Sequence, residues 1–132
     1  MTQRAKKPRP FTLKDAFETA YARREMERRQ RDEAQRKQQE ADLAGAERLF
    51  DALRADPAFL GEHGLSADRR RYTVSLDHQN YRISAYFEGG QANITLSDKR
   101  MAGQSVPRKQ ETAETPEAAL TVVAQFLVDE TR

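Results

Sequence analysis

The apolar positions of this chain fall at helical spacing near its start, vanish from Arg23 to Asp42, return at helical spacing, switch to strict alternation and end helical again. Leu13, Phe17, Ala20 and Tyr21 follow one another at steps that place them on one face of a helix. Thr12, with Asp15 three residues on, predicts the N-cap, and Phe11 can staple over Ala16. Beyond Tyr21 the stripe ends, because Met26 is the only large apolar side chain before Leu43. Stepping on from Leu13 meets Arg24, Glu27, Arg31 and Gln38, so a coiled-coil seam is excluded. The pairs Glu25/Arg29, Glu27/Arg31, Asp32/Arg36 and Glu33/Lys37 put acid before base at i, i+4. Each adds roughly 0.2–0.5 kcal/mol to an isolated helix. A charged, solvent-exposed helix with an apolar tip is therefore expected over residues 11–42.

Leu43, Ala46, Leu49, Phe50 and Leu53 restore a core-facing stripe that stops at Asp56-Pro57. Phe59, Leu60 and Leu65, punctuated by Gly61 and Gly64, predict a folded-back connection. Three alternating runs follow: Tyr72, Val74, Leu76; then Tyr81, Ile83, Ala85, Phe87; then Ala92, Ile94, Leu96. This is the pattern of half-buried strands. Gly89-Gly90 supplies the positive φ of a primed hairpin turn and sets Phe87 opposite Ala92, Ala85 opposite Ile94 and Ile83 opposite Leu96. The same reasoning across Asp77–Asn80 pairs Val74 with Ile83 and Tyr72 with Ala85. Residues 98–114 carry no periodicity and read as a mobile polar loop. Thr115 and Pro116 then open a helix with Ala119, Leu120, Val123, Phe126 and Leu127 as its inner face.

The expected fold class is α+β: a long charged N-terminal helix leading into an α-β-β-β-α domain, with a three-stranded antiparallel meander and the helices on one face. The expected divisions are a disordered basic segment at 1–10, the charged helix at 11–42 and the domain at 43–132. The order α-β-β-β-α resembles that of double-stranded-RNA-binding domains. The text opening the last helix, ETAETPE, is acidic where that family carries a lysine-rich cluster, so no family is assigned.

Charge changes this picture only through its distribution. The 23 basic and 21 acidic residues leave a net charge of +2, yet residues 1–42 hold 12 basic against 8 acidic and residues 43–132 hold 11 against 13. The absence of Cys excludes disulfides, thiolate metal sites and thiol nucleophiles, and fits a reducing compartment. No apolar run reaches signal-peptide or membrane-spanning length, so a cytoplasmic protein with no membrane partner is expected.

Candidate chemistry points to binding rather than catalysis. His63 and His78 stand without convergent ligands, Gly89-Gly90 leads into no helix N-terminus, and no serine has an identifiable base. No enzyme, metal or cofactor is expected. In the expected register the outer face carries the rows Arg71–Tyr86–Asn93, Thr73–Ser84–Thr95 and Ser75–Arg82–Ser97, all free of acids. Arg69, Arg70, Lys99, Arg100 and the Arg108-Lys109 pair flank it, and Lys6 and Lys7 belong to the basic N-terminal segment. This arrangement predicts contacts to DNA or RNA, with Arg71, Arg82, Tyr86 and Asn93 on the face and the lysines and arginines on phosphates. The second expectation is a protein-binding adaptor that docks through Phe11, Leu13, Phe17 and Tyr21 at the tip of the long helix.

Overall fold

A computed structural model describes residues 12–100 and 106–131. The expected unstructured segment at 1–10, with Lys6 and Lys7, lies outside the described residues, as does Phe11. The chain divides into two compact units, residues 1–36 and 37–132.

Helix α1 runs unbroken from Leu13 to Leu53. Its start is the one the sequence predicts: the Asp15 N–H donates to Thr12 Oγ1 at 3.1 Å, and the Ala16 N–H donates to the Thr12 carbonyl at 3.0 Å. In the first unit the helix is exposed and carries its own ion pairs, but their spacing differs from expectation. Arg28 binds both Glu25 and, at 3.0 Å, Asp32, while Arg36 binds Glu33 at 2.6 Å. Arg28–Glu25 and Arg36–Glu33 join residues three apart rather than four, which the long arginine side chain reaches equally well on a helix surface.

In the second unit, Ala46 and Leu49 of α1 are buried, with Phe50 and Leu53 packed beside them. Helix α2, Pro57–Glu62, lies in the stretch expected to form a folded-back connection; Asp56 caps it by accepting the Phe59 N–H at 3.2 Å. Five antiparallel strands follow in sequence order: β1 (Ser66–Arg70), β2 (Thr73–Asp77), β3 (Tyr81–Glu88), β4 (Gln91–Asp98) and β5 (Val106–Ala113). Helix α3, Pro116–Thr131, closes the fold, with the Ala118 N–H bound to Thr115 Oγ1 at 3.0 Å.

The α+β class and the central strands agree with expectation, and three features correct it. The meander has five strands, not three. Strand β5, eight residues long, lies within the span expected to be a mobile loop, pairing with β4 from Ala92/Ala113 to Asp98/Val106 around an irregularity at Leu96/Ser97. The β2–β3 register is displaced by two residues, with Val74 opposite Ala85 and Leu76 opposite Ile83. A slip of two leaves every side chain on its own face, so apolar matching could not detect it. The Gly-Gly hairpin stands as predicted: Gly89 and Gly90 have φ of 62° and 83°, and all three apolar pairs across β3 and β4 are those expected.

The core lies between the inner sheet face and the helices. Val74, Leu76, Ile83, Ala85, Ile94 and Leu96 from the strands form one cluster with Ala46 and Leu49 of α1 and Val122, Val123, Phe126 and Leu127 of α3. Val122 rather than Leu120 belongs to the inner face of α3. One charged side chain joins this layer. Asp42 is 6 % exposed and accepts the N–H groups of Gly89 and Gly90, each at 2.9 Å, while Gln38 Nε2 donates to it at 3.0 Å. It fastens α1 to the β3–β4 turn.

Candidate interaction surfaces

The outer face of the sheet follows from strand alternation and the observed registers. Across β1 to β5, its rows are Arg70–Thr73–Tyr86–Asn93–Thr112, Asp68–Ser75–Ser84–Thr95–Gln110 and Ser66–Asp77–Arg82–Ser97–Pro107. The acid-free face expected from sequence is thus not the one formed. The two-residue slip draws Asp77 into these rows opposite Arg82, and the unforeseen strand β1 brings Asp68. Asp68, Arg70, Thr73, Ser75, Asp77, Arg82 and Ser84 line an open depression of about 400 Å³ there.

The residues singled out for nucleic acid mostly hold acidic partners or have other duties. Arg82 Nε and Lys99 Nζ converge on Asp77 Oδ1 at 2.6 and 3.2 Å, and Lys99 also donates to the His78 carbonyl at 2.9 Å. Arg70 faces Asp68 at 3.5 Å. Arg69 points to the opposite side, where it reaches Glu47 at 3.6 Å and donates to the Arg71 carbonyl at 3.1 Å. Arg100 grips Asp98 through its backbone N–H and its guanidinium, at 2.9 to 3.2 Å. These hydrogen bonds hold the Asp98 carboxyl below its ordinary range and raise the Arg100 guanidinium above its own. Arg108 pairs with Glu130, and Lys109 with Asp129 at 2.6 Å.

Asn93 accepts a hydrogen bond from Gln110 at 2.9 Å, and Tyr86 stands exposed beside it in the same row. Arg71 is not on the sheet at all. It occupies the β1–β2 turn at φ 55°, its guanidinium 5.7 Å from the Tyr72 ring centroid. Arg70, rather than Arg71, therefore stands in the row with Tyr86 and Asn93.

The histidines have plain structural surroundings. His78 stacks on Tyr81 with ring centroids 4.5 Å apart, and its Nδ1 accepts the Asn80 N–H at 3.0 Å. His63 packs on Phe59 at 4.4 Å. Burial pushes the Tyr81 hydroxyl above its ordinary range, with the negative charge of Glu130 adding to the effect. Among the described residues no group of three or more His, Asp or Glu side chains converges in a way that could hold a metal ion.

The first unit presents a different surface. Leu13, Phe17 and Tyr21 are 86 %, 63 % and 62 % exposed, and the rings of Phe17 and Tyr21 lie 6.0 Å apart at a 33° tilt. The i, i+4, i+8 spacing aligns all three along one side of α1. Alanines at 16 and 20 flank them with little bulk. Phe11, expected to belong to this tip, lies outside the described residues.

No helix among the described residues is long and apolar enough to cross a membrane. No protein-family model, curated protein or solved structure matches the chain.

Proposed function

We propose that the protein is a non-enzymatic adaptor, in which α1 docks through Leu13, Phe17 and Tyr21 into a groove on a partner protein while the α+β domain forms a stable body. One observation carries the reading: three large apolar side chains stand in water at helical spacing along a single face. Leaving such a stripe exposed forgoes roughly 1.5–3 kcal/mol for each side chain that could have been buried. An amphipathic helix laid into an apolar groove recovers that free energy, with residues at i, i+4 and i+8 as anchors.

The competing nucleic-acid reading draws in part on Arg70, Arg82, Lys99 and Arg100, which already face carboxylates, so phosphate contacts there would first have to break ion pairs within the domain. The binding body and the binding element are better assigned to the α+β domain and the helix tip respectively.

The test is co-purification of the full chain and of its Leu13→Asp/Phe17→Asp variant from the cells that express it, quantified by mass spectrometry. The expected result is at least one protein depleted about tenfold with the variant, as loss of anchor contacts worth roughly 1.4 kcal/mol already requires. Identical sets of co-purified proteins would end the proposal.

A further inference from the structure

Beyond Tyr21 the face that bears the apolar tip continues at steps of three and four through Arg24, Arg28 and Arg31. These arginines differ in their surroundings. Arg28 is held between Glu25 and Asp32, whereas Arg24 and Arg31 are exposed and, among the described residues, have no ion-pair partner. Glu27 lies three residues after Arg24 and four before Arg31, and it pairs with neither. The face thus runs from apolar to cationic over nearly three turns, some 15 Å from Tyr21 to Arg31 at 1.5 Å per residue.

Area shows why the second half matters. Phe17 and Tyr21 can bury on the order of 150–250 Å² each. With Leu13 this falls short of the roughly 800 Å² per partner of a specific, stable interface. Covering the helix as far as Arg31 adds the long side chains of Arg24, Arg28 and Arg31 to that area. That cover must then meet two guanidinium groups without counter-ions, and a desolvated, unpaired charge opposes binding.

From this complementarity we infer that the partner is a protein whose groove is apolar where it receives Leu13, Phe17 and Tyr21 and acidic where it meets Arg24 and Arg31. The inference rests on the docking reading above and specifies its partner. Arg24 and Arg31 steer the encounter and fix the direction in which the helix lies, because reversing it would set the arginines against the apolar end.

The experiment uses the full chain with photoreactive benzoylphenylalanine at position 17 or at Gln35, which lies on the same face one turn past Arg31. Adducts formed in the cells that express the protein are mapped by mass spectrometry. The protein captured from position 17 is then produced and titrated against the chain over a salt series. The expected result is one protein captured from both positions, with apolar residues at the first site and Asp and Glu at the second. Arg24→Glu/Arg31→Glu should weaken its binding about tenfold at low salt and flatten the salt dependence. Glu27→Gln, which removes a like charge from the partner's point of view, should tighten it.

If no protein is captured at position 17, the docking reading fails and this inference with it. If binding depends on Phe17 but is indifferent to salt and to Arg24→Glu/Arg31→Glu, docking stands and the acidic groove is overturned. Adducts at Gln35 to nucleic acid or lipid overturn it equally.

Discussion

One helix is built in two ways along its length. From Lys37 to Leu53, α1 places Ala46 and Leu49 in the core, at 0 % and 1 % exposure, and locks Asp42 onto the Gly89-Gly90 turn. From Leu13 to Arg36 it keeps Leu13, Phe17 and Tyr21 in solvent and relies on pairs such as Arg28–Glu25 and Arg36–Glu33. The same backbone geometry therefore rests on tertiary burial in one stretch and on intrinsic propensity with side-chain pairs in the other. The contrast separates stability from binding, since a change in one stretch should move a quantity that the other leaves untouched.

The largest effect belongs to Leu49. Replacing it by Ala empties space between α1 and the sheet, and the loss should be about 2–5 kcal/mol, read as a fall in the denaturant midpoint. A shift below about 1 kcal/mol would mean that this part of α1 is not part of the cooperative core.

Asp42 comes next. Removing its carboxylate in Asp42→Ala orphans the Gly89 and Gly90 N–H groups beneath the helix, at a cost of about 1–3 kcal/mol. Asp42→Asn keeps one acceptor oxygen and should lose less. If the two variants unfold at the same denaturant concentration, the latch carries no weight beyond packing.

Asp42 also marks where sequence reasoning stops. Its neighbours from Arg23 to Glu40 are so rich in charge that one more aspartate carries no signal, and only the fold places it under a turn 47 residues away. The central strands were legible because Tyr81 to Phe87 and Ala92 to Leu96 alternate strictly and a Gly-Gly pair fixes their register. Strands β1 and β5 were not. As edge strands they offer the core little more than Ala67 and Ala113, and their remaining positions are largely polar or charged. The outer face was misread for a related reason: the β2–β3 loop admits registers differing by two, and only the observed one sets Asp77 against Arg82. The apolar tip was visible from spacing alone, because Leu13, Phe17 and Tyr21 stand out in a stretch otherwise nearly devoid of large apolar side chains.

A smaller effect is expected at the turn that Asp42 holds. Gly90 sits at φ 83°, where a Cβ is strained, although the nearest atom to that Cβ would be Gln38 Nε2 at an ordinary 3.6 Å. Gly90→Ala should therefore cost about 1–2 kcal/mol from backbone conformation alone. Gly90→Asn should cost less, since Asn enters the left-handed region more readily. Equal losses for both would point to crowding against Gln38 instead.

The smallest effect on stability is expected where the proposed effect on binding is largest. Phe17 touches Tyr21 and little else, and Phe and Asp have similar helix propensities, so Phe17→Asp should change the unfolding free energy by no more than about 0.5 kcal/mol. Measured beside Leu49→Ala, this variant tests the division of α1 directly. A loss comparable to that of a core substitution would show that Phe17 is buried in the folded chain in solution and would remove the apolar stripe from the proposed docking surface. Unchanged stability together with lost co-purification would tie the exposure of these side chains to a partner rather than to the fold.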